Sequence, residues 1–202
     1  MMGFLRHAKD LTGGVRLEGD GIYLRHPRDG DWTEWAELRA ASREFLQPWE
    51  PTWGRDALTR IAYRQRLRQF EAERREGSGH AFFIFQRGDD ALIGGITLSN
   101  IRRGVAQAGT IGYWVGERFA RQGYMTAALD SLADYAFGRL GLHRLEAACQ
   151  PHNEASRELL RRFGFAEEGR ARLYLLINGR WSDHLLFGLV RDDYLARRQR
   201  PG

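Results

Sequence analysis

Residues 111–165 constrain this chain more than any other stretch. They read as a strand, a Gly-bearing turn, a helix, a second strand and a helix opening on asparagine: IGYWVGERFARQGYMTAALDSLADYAF, then HRLEAACQPHNEASRELLRRFGF. A strand, a helix and a strand in succession call for a parallel crossover in one sheet. The Gly-bearing turn before the first helix presents backbone N–H groups, and the helix N-terminus adds partial positive charge. Together they make a site for an anion, which points to a phosphate-bearing cofactor. The second helix brings Asn153 and Ser156 to its first turn, beside the end of the second strand.

The rest of the chain sets this unit in a larger sheet. GIYLRHP (21–27) reads as a first strand. Asp31 is placed to cap a helix carrying Trp32, Trp35, Leu38, Arg39 and Ser42, which ends before Pro48. LQPWEPTWG (46–54) reads as an ordered loop. Leu58 to Glu76 is a second helix, with Ile61, Leu67 and Phe70 as its apolar positions, stopped by Gly-Ser-Gly. HAFFIFQ (80–86), ALIGGITLSN (91–100) and AGTIGYWVG (108–116) form a meander. The helix over 125–140 carries Met125, Ala128, Leu129, Leu132, Ala136 and Leu140 on one stripe. In the last helix Leu159, Leu160 and Phe163 face inward and Gly164 is the stop. Asn178-Gly179 joins a final hairpin. The expected fold is α/β: a mixed, mostly antiparallel sheet of about seven strands with helices on both faces. Residues 21–191 make one domain, preceded by a loosely held polar segment (1–20) and followed by a charged tail (192–202).

Composition narrows the class. Charged residues make up 28% of the 202, and no apolar run approaches the roughly 18 residues of a membrane span. No signal-peptide core precedes the first strand, so a cytoplasmic location is expected. Cys149 is the only cysteine, which excludes a disulfide framework. His143, His152 and His184 form no metal-binding pattern, and no metal is expected. Net charge is +5, but of the 31 basic residues only Lys9 is lysine. That bias fits a GC-rich genome better than selection for phosphate contacts, so nucleic-acid binding is not expected as the main function.

With these elements in place the chain resembles the GNAT N-acetyltransferase superfamily. Within it, the sequence is most similar to the ribosomal-protein-alanine N-acetyltransferases of bacteria, the RimJ/RimL type. The resemblance rests on FLQPWEP (45–51), IGGITLSN (93–100), GYWVGERFARQGYMTAAL (112–129), GLHRLEAACQPHNEASRELLRRFGFAEEG (141–169) and YLLINGRWSDHLLFGL (174–189). It departs from the general Q/R-x-x-G-x-G/A turn, with Ala120 at the Gln/Arg position and Met125 at the final Gly/Ala position. The resemblance implies acetyl-CoA held in a splayed opening between the fourth and fifth strands. Gln122, Gly123, Tyr124, Met125 and Thr126 would receive its pyrophosphate, and the backbone at Trp114 and Val115 its pantetheine arm. Asn153 would contact the same arm, and Ser156 would protonate the departing thiolate. The acceptor implied is a protein N-terminus, that of a ribosomal protein.

The acceptor must attack as a neutral amine. An α-amine with a pKa near 8 is about 10% neutral at pH 7, a lysine near 10.4 only about 0.04%. One carboxylate reached through water then suffices as base, and Glu50 in the PWEP loop is the candidate. Trp49 is read as a wall of the acceptor groove and Asn100 as a hold on the acceptor backbone. Cys149 beside His152 invites a covalent reading, but a buried apolar role suits a lone cysteine better. Two other functions stay open. A small amine such as an antibiotic or polyamine would favour clustered carboxylates around the PWEP loop. A non-catalytic ribosome- or RNA-binding protein would bind RNA in a salt-sensitive way. A monomer and a homodimer are both compatible with the sequence.

Overall fold

The structure is a computed structural model that describes residues 14–199. One sheet of eight strands runs through it in the order β1-β2-β3-β4-β5-β6-β8-β7. The strands are β1 (Arg16–Gly19), β2 (Ile22–Arg25), β3 (His80–Gln86), β4 (Leu92–Arg102), β5 (Ala108–Val115), β6 (Arg144–Cys149), β7 (Ala166–Ile177) and β8 (Arg180–Val190). All neighbours pair antiparallel except β5 and β6, which run parallel. The sheet has one strand more than the sequence suggests. Arg16–Gly19 folds back on β2 through a two-residue Asp20-Gly21 turn, so residues 16–19 are not a loose leader. The expectation for residues 1–13 lies outside the described residues.

Helices cover both faces. On one face lie α1 (Trp32–Ala41), the short α2 (Arg43–Leu46) and α3 (Arg60–Glu76), packed through Trp35, Leu38 and Tyr63 onto Tyr23, Phe83, Phe85 and Leu92. On the other lie α4 (Tyr124–Asp134), α5 (Glu154–Phe163) and α6 (Arg191–Arg198). The α4 stripe meets the sheet as its periodicity demands: Ala128, Leu129, Leu132, Ala133 and Ala136 are fully buried. A π-helical turn (Tyr135–Arg139) prolongs α4, with the Leu140 N–H donating to the Tyr135 carbonyl at 3.0 Å. The charged C-terminal segment is helical as far as Arg198. Its Tyr194 is buried against Phe137 and Phe163, and the hydroxyl donates to Asp130 Oδ1 at 3.0 Å.

Two local readings change. Asp31 does not cap α1 with its side chain. The carboxylate accepts instead from Arg25 at 2.7 and 2.8 Å and from the Arg28 N–H at 2.8 Å. In α3 the inward position is Tyr63, fully buried with its hydroxyl donating to the Arg28 carbonyl at 2.8 Å, whereas Ile61 is 75% exposed. Among the described residues no helix is long and apolar enough to cross a membrane.

Candidate active site

The site forms where the parallel pair parts. β5 and β6 are in register only from Ala108–Arg144 to Thr110–Glu146. Beyond that point β5 stays with β4 while β6 pairs with β8 as far as Cys149, so the strands diverge into a cleft. β4 helps hold β5 to its own side. A Cβ on Gly94 would collide with the Trp114 carbonyl, and one on Gly95 would sit 2.5 Å from the Trp114 indole nitrogen. The close approach of β5 therefore depends on two residues without side chains.

At the mouth of this cleft the chain turns into α4. Arg121 (φ 61°) and Gly123 (φ 84°) are both left-handed, and Gly123 caps the helix without any side-chain hydrogen bond. The first-turn N–H groups at Tyr124, Met125 and Thr126 are thus left for an incoming acceptor, which fits a phosphate. Space around Gly123 is open, so its backbone conformation rather than crowding calls for glycine. Gln122 and Thr126 are exposed, and the Gln122 amide donates to the Arg118 carbonyl at 2.8 Å. Met125 points into the core, and Tyr124 packs edge-on to Phe119.

Across the cleft α5 begins as the sequence indicates. Asn153 Oδ1 accepts from the Ser156 N–H at 3.1 Å. The Ser156 hydroxyl faces inward and shares a 2.7 Å hydrogen bond with the hydroxyl of Tyr113, on β5. Burial raises the Tyr113 pKa above that of an ordinary tyrosine, an effect that the Ser156 hydrogen bond only partly offsets, so the phenol keeps its proton at neutral pH. Sequence reasoning missed this tyrosine. Its signal is strand alternation: Trp114 packs on the α1–α3 face, so its neighbour Tyr113 must face α4 and α5. Cys149, at the end of β6, is buried and its pKa is raised by that burial, which disfavours a thiolate nucleophile.

On the α1–α3 face, beside Trp114, lies a cavity of about 380 Å³. Its walls include Trp35, Trp53 and Trp114, and its charged residues are Arg39, Glu50 and Arg66. Glu50 is there as expected, but both its oxygens are engaged. Arg39 pairs with it through both guanidinium nitrogens, and the Trp53 indole donates to Oε2 at 2.8 Å. The Arg39 guanidinium, itself almost buried, lies over Trp53 at 4.4 Å and Trp114 at 4.9 Å. Trp49 is not one of the cavity walls. Its ring packs on His152 at 5.2 Å, and Trp53 takes the place expected for it. Asn100 is also away from the cavity. It is exposed, at φ 49°, where the β4–β5 register shifts, and that left-handed backbone accounts for an asparagine there. The loop holding Glu50 is fixed from just beyond β6 and from the β7–β8 turn. The Gln150 amide donates to the Pro48 carbonyl at 3.1 Å, and the Asn178 N–H to the Glu50 carbonyl at 2.9 Å.

A parted parallel pair, an uncapped helix start on one side and a hydroxyl pair joining β5 to α5 suit a phosphate-bearing cofactor laid along the cleft. The acetyltransferase (GNAT) domain family matches residues 22–166, and the chain belongs to that family. It is an acetyl-CoA-dependent N-acetyltransferase. Among curated proteins it is 35% identical to the [ribosomal protein uS5]-alanine N-acetyltransferase of Escherichia coli, over 91% of this chain and 95% of that one. Among solved structures it superposes on Mycobacterium smegmatis RimJ in complex with CoA-disulfide with a TM-score of 0.81, at 33% identity, covering 89% of this chain and 87% of that one. The ribosomal-protein-S5-alanine acetyltransferase of Vibrio fischeri also gives 0.81, at 32% identity, covering 89% and 98%. Spermidine N(1)-acetyltransferase of Escherichia coli is more distant, 27% identical over 44% of this chain and 47% of that one.

Proposed function

We propose that this enzyme acetylates the α-amine at the N-terminus of a ribosomal protein, by direct attack while acetyl-CoA and acceptor are bound together. The names of the relatives support the acceptor. The observation that carries the mechanism is the Tyr113–Ser156 pair, set where β5 and β6 part and backed by the acceptor cavity on the opposite face of β5.

Acetyl-CoA supplies an activated thioester. The chain's own residues do the rest. The N–H groups of the Gln122–Thr126 turn bind the pyrophosphate, and Asn153 and the β5 edge at Trp114 and Val115 align the pantetheine arm. A backbone N–H of β5 donates to the carbonyl oxygen as negative charge grows there. Ser156 gives its proton to the leaving sulfur and regains one from solvent once the thiol departs, while Tyr113, kept neutral by burial, holds the serine hydroxyl in place by its hydrogen bond. Glu50, held by Arg39 and Trp53, takes the proton of the attacking amine through water. Cys149 stays out of the chemistry, because a neutral amine needs no enzyme-bound acyl intermediate.

The cavity argues against a polyamine acceptor. Its single carboxylate is already paired, and two guanidiniums leave an excess of positive charge. That excess repels a polycation and lowers the pKa of an entering ammonium, favouring the reactive neutral form. Thiol release from acetyl-CoA with N-terminal ribosomal-protein peptides and small amines tests the reading. Turnover with a peptide is expected. Turnover with small amines alone would overturn it in favour of the small-amine reading, and RNA binding without any turnover would leave only a binding protein.

A further inference from the structure

Arg66 is the charge in the acceptor cavity that the proposed mechanism leaves unused. Nearer the start of α3, Arg60 and Arg64 both pair with Asp29 at 2.7 Å. The Arg39 charge is met by Glu50. Arg66 lines the same cavity, 5.8 Å from the Trp35 ring, and no carboxylate among the described residues lies within ion-pair distance of it. It is exposed by surface area, so its side chain is reachable from the cavity mouth. Protein packed around it, then the nearby Arg39 charge, still hold its pKa below that of an ordinary arginine, and solvent at the mouth screens only part of that repulsion. The cation therefore faces the cavity with a tryptophan ring beside it and no carboxylate of its own.

Resting on the proposed reading of this cavity as the acceptor site, we infer that Arg66 selects the acceptor by its charge: the preferred substrate is an acidic N-terminal peptide, with Asp or Glu among the first residues after the reacting amine. A guanidinium fork matches a carboxylate in plane and can donate two hydrogen bonds to it. The acceptor's carboxylate supplies the negative charge that the cavity lacks. It also offsets the repulsion that its own ammonium meets on entry, while leaving the reacting amine beside Arg39. A cavity of about 380 Å³ walled by tryptophans suits a short stretch of chain rather than a folded surface.

The test uses the full-length enzyme and paired peptides that differ only by Glu or Gln at one of positions two to five. The wild-type enzyme is expected to favour one or more Glu peptides by about 3- to 10-fold in kcat/KM, mainly through KM, and to lose the preference at high salt. Arg66→Gln should bring the ratio close to one, and Arg66→Glu should turn the preference towards a Lys-bearing peptide. Equal rates for all pairs with wild type, or a Glu preference that survives Arg66→Gln, would overturn the inference and leave α-amine acetylation standing. Acetylation of no peptide at all would overturn both. Thermal melts establish that each variant is folded. If neither variant folds, the paired peptides and the salt dependence of the wild type decide alone.

Discussion

The Tyr113 hydroxyl gives Ser156 a hydrogen-bond partner from β5 that its own helix does not supply. Ser156→Ala removes the hydroxyl but keeps the backbone N–H that Asn153 accepts, so the cap survives. The expected result is a kcat lower by about 10²-fold or more with little change in Tm, read by thiol release and thermal melting. Tyr113→Phe should also lower kcat. A phenylalanine variant with full activity would reduce Tyr113 to packing. A second residue-scale effect lies away from the site. His26 and His80 stack 6.0 Å apart, and burial is the main cause that lowers both pKa values, that of His80 to about 4. His26 Nδ1 donates to the Ala81 carbonyl at 2.8 Å, while Nε2 is buried without a partner. The folded state therefore binds these protons less readily than the unfolded chain. Their neutral forms support the fold fully above the ordinary histidine pKa of 6.5, and that support falls as pH drops from there towards about 4. Tm measured across this window should fall with acidification, and His80→Phe should flatten the dependence. An equally steep fall in the variant would assign the effect elsewhere.

At the scale of elements, the cleft depends on β5 leaning towards β4 at two glycines. Gly94→Ala drives a methyl group into the Trp114 carbonyl, and backbone cannot swing away as a side chain can. It is expected to cost about 1–3 kcal/mol and to lower Tm by roughly 2–12 °C, with loss of acetyl-CoA affinity as β5 shifts. Gly123→Ala makes a contrast. It meets no neighbour, so its cost is the left-handed backbone alone, about 1–2 kcal/mol, and its main effect should be a higher KM for acetyl-CoA. Comparing acetyl-CoA affinity and Tm in the two variants separates strand geometry from turn geometry. Equal Tm losses with unchanged affinity would contradict both assignments.

Over the whole molecule, the features set by local chemistry were legible in sequence, and those set by distant contacts were not. Asn153 at the start of α5, the Asn178-Gly179 turn with φ 44° and 78°, and the buried stripe of α4 all follow from neighbours along the chain. The strand β1 also carried a local signal, the Asp20-Gly21 turn, but the Gly-rich segment around it obscured the pairing. By contrast α6 is anchored mainly through Tyr194, which an Arg-rich tail does not advertise. In the site, Ser156, Glu50 and the Gly123 turn follow from motif position. The cavity's Arg39, Trp53 and Arg66 come from α1, α3 and a loop, and only the fold brings them to one place. The same separation explains why Trp49 and Asn100 lie away from the cavity: each is placed by a local contact, a ring on His152 and a left-handed bend. The proposed function turns on which nitrogen the cavity receives. Mass spectrometry of a ribosomal-protein N-terminal peptide bearing both a free α-amine and an internal lysine, after turnover with acetyl-CoA, tests it most directly. A single acetyl group, on the α-amine, is expected. Acetylation of the lysine side chain with a free α-amine would contradict it.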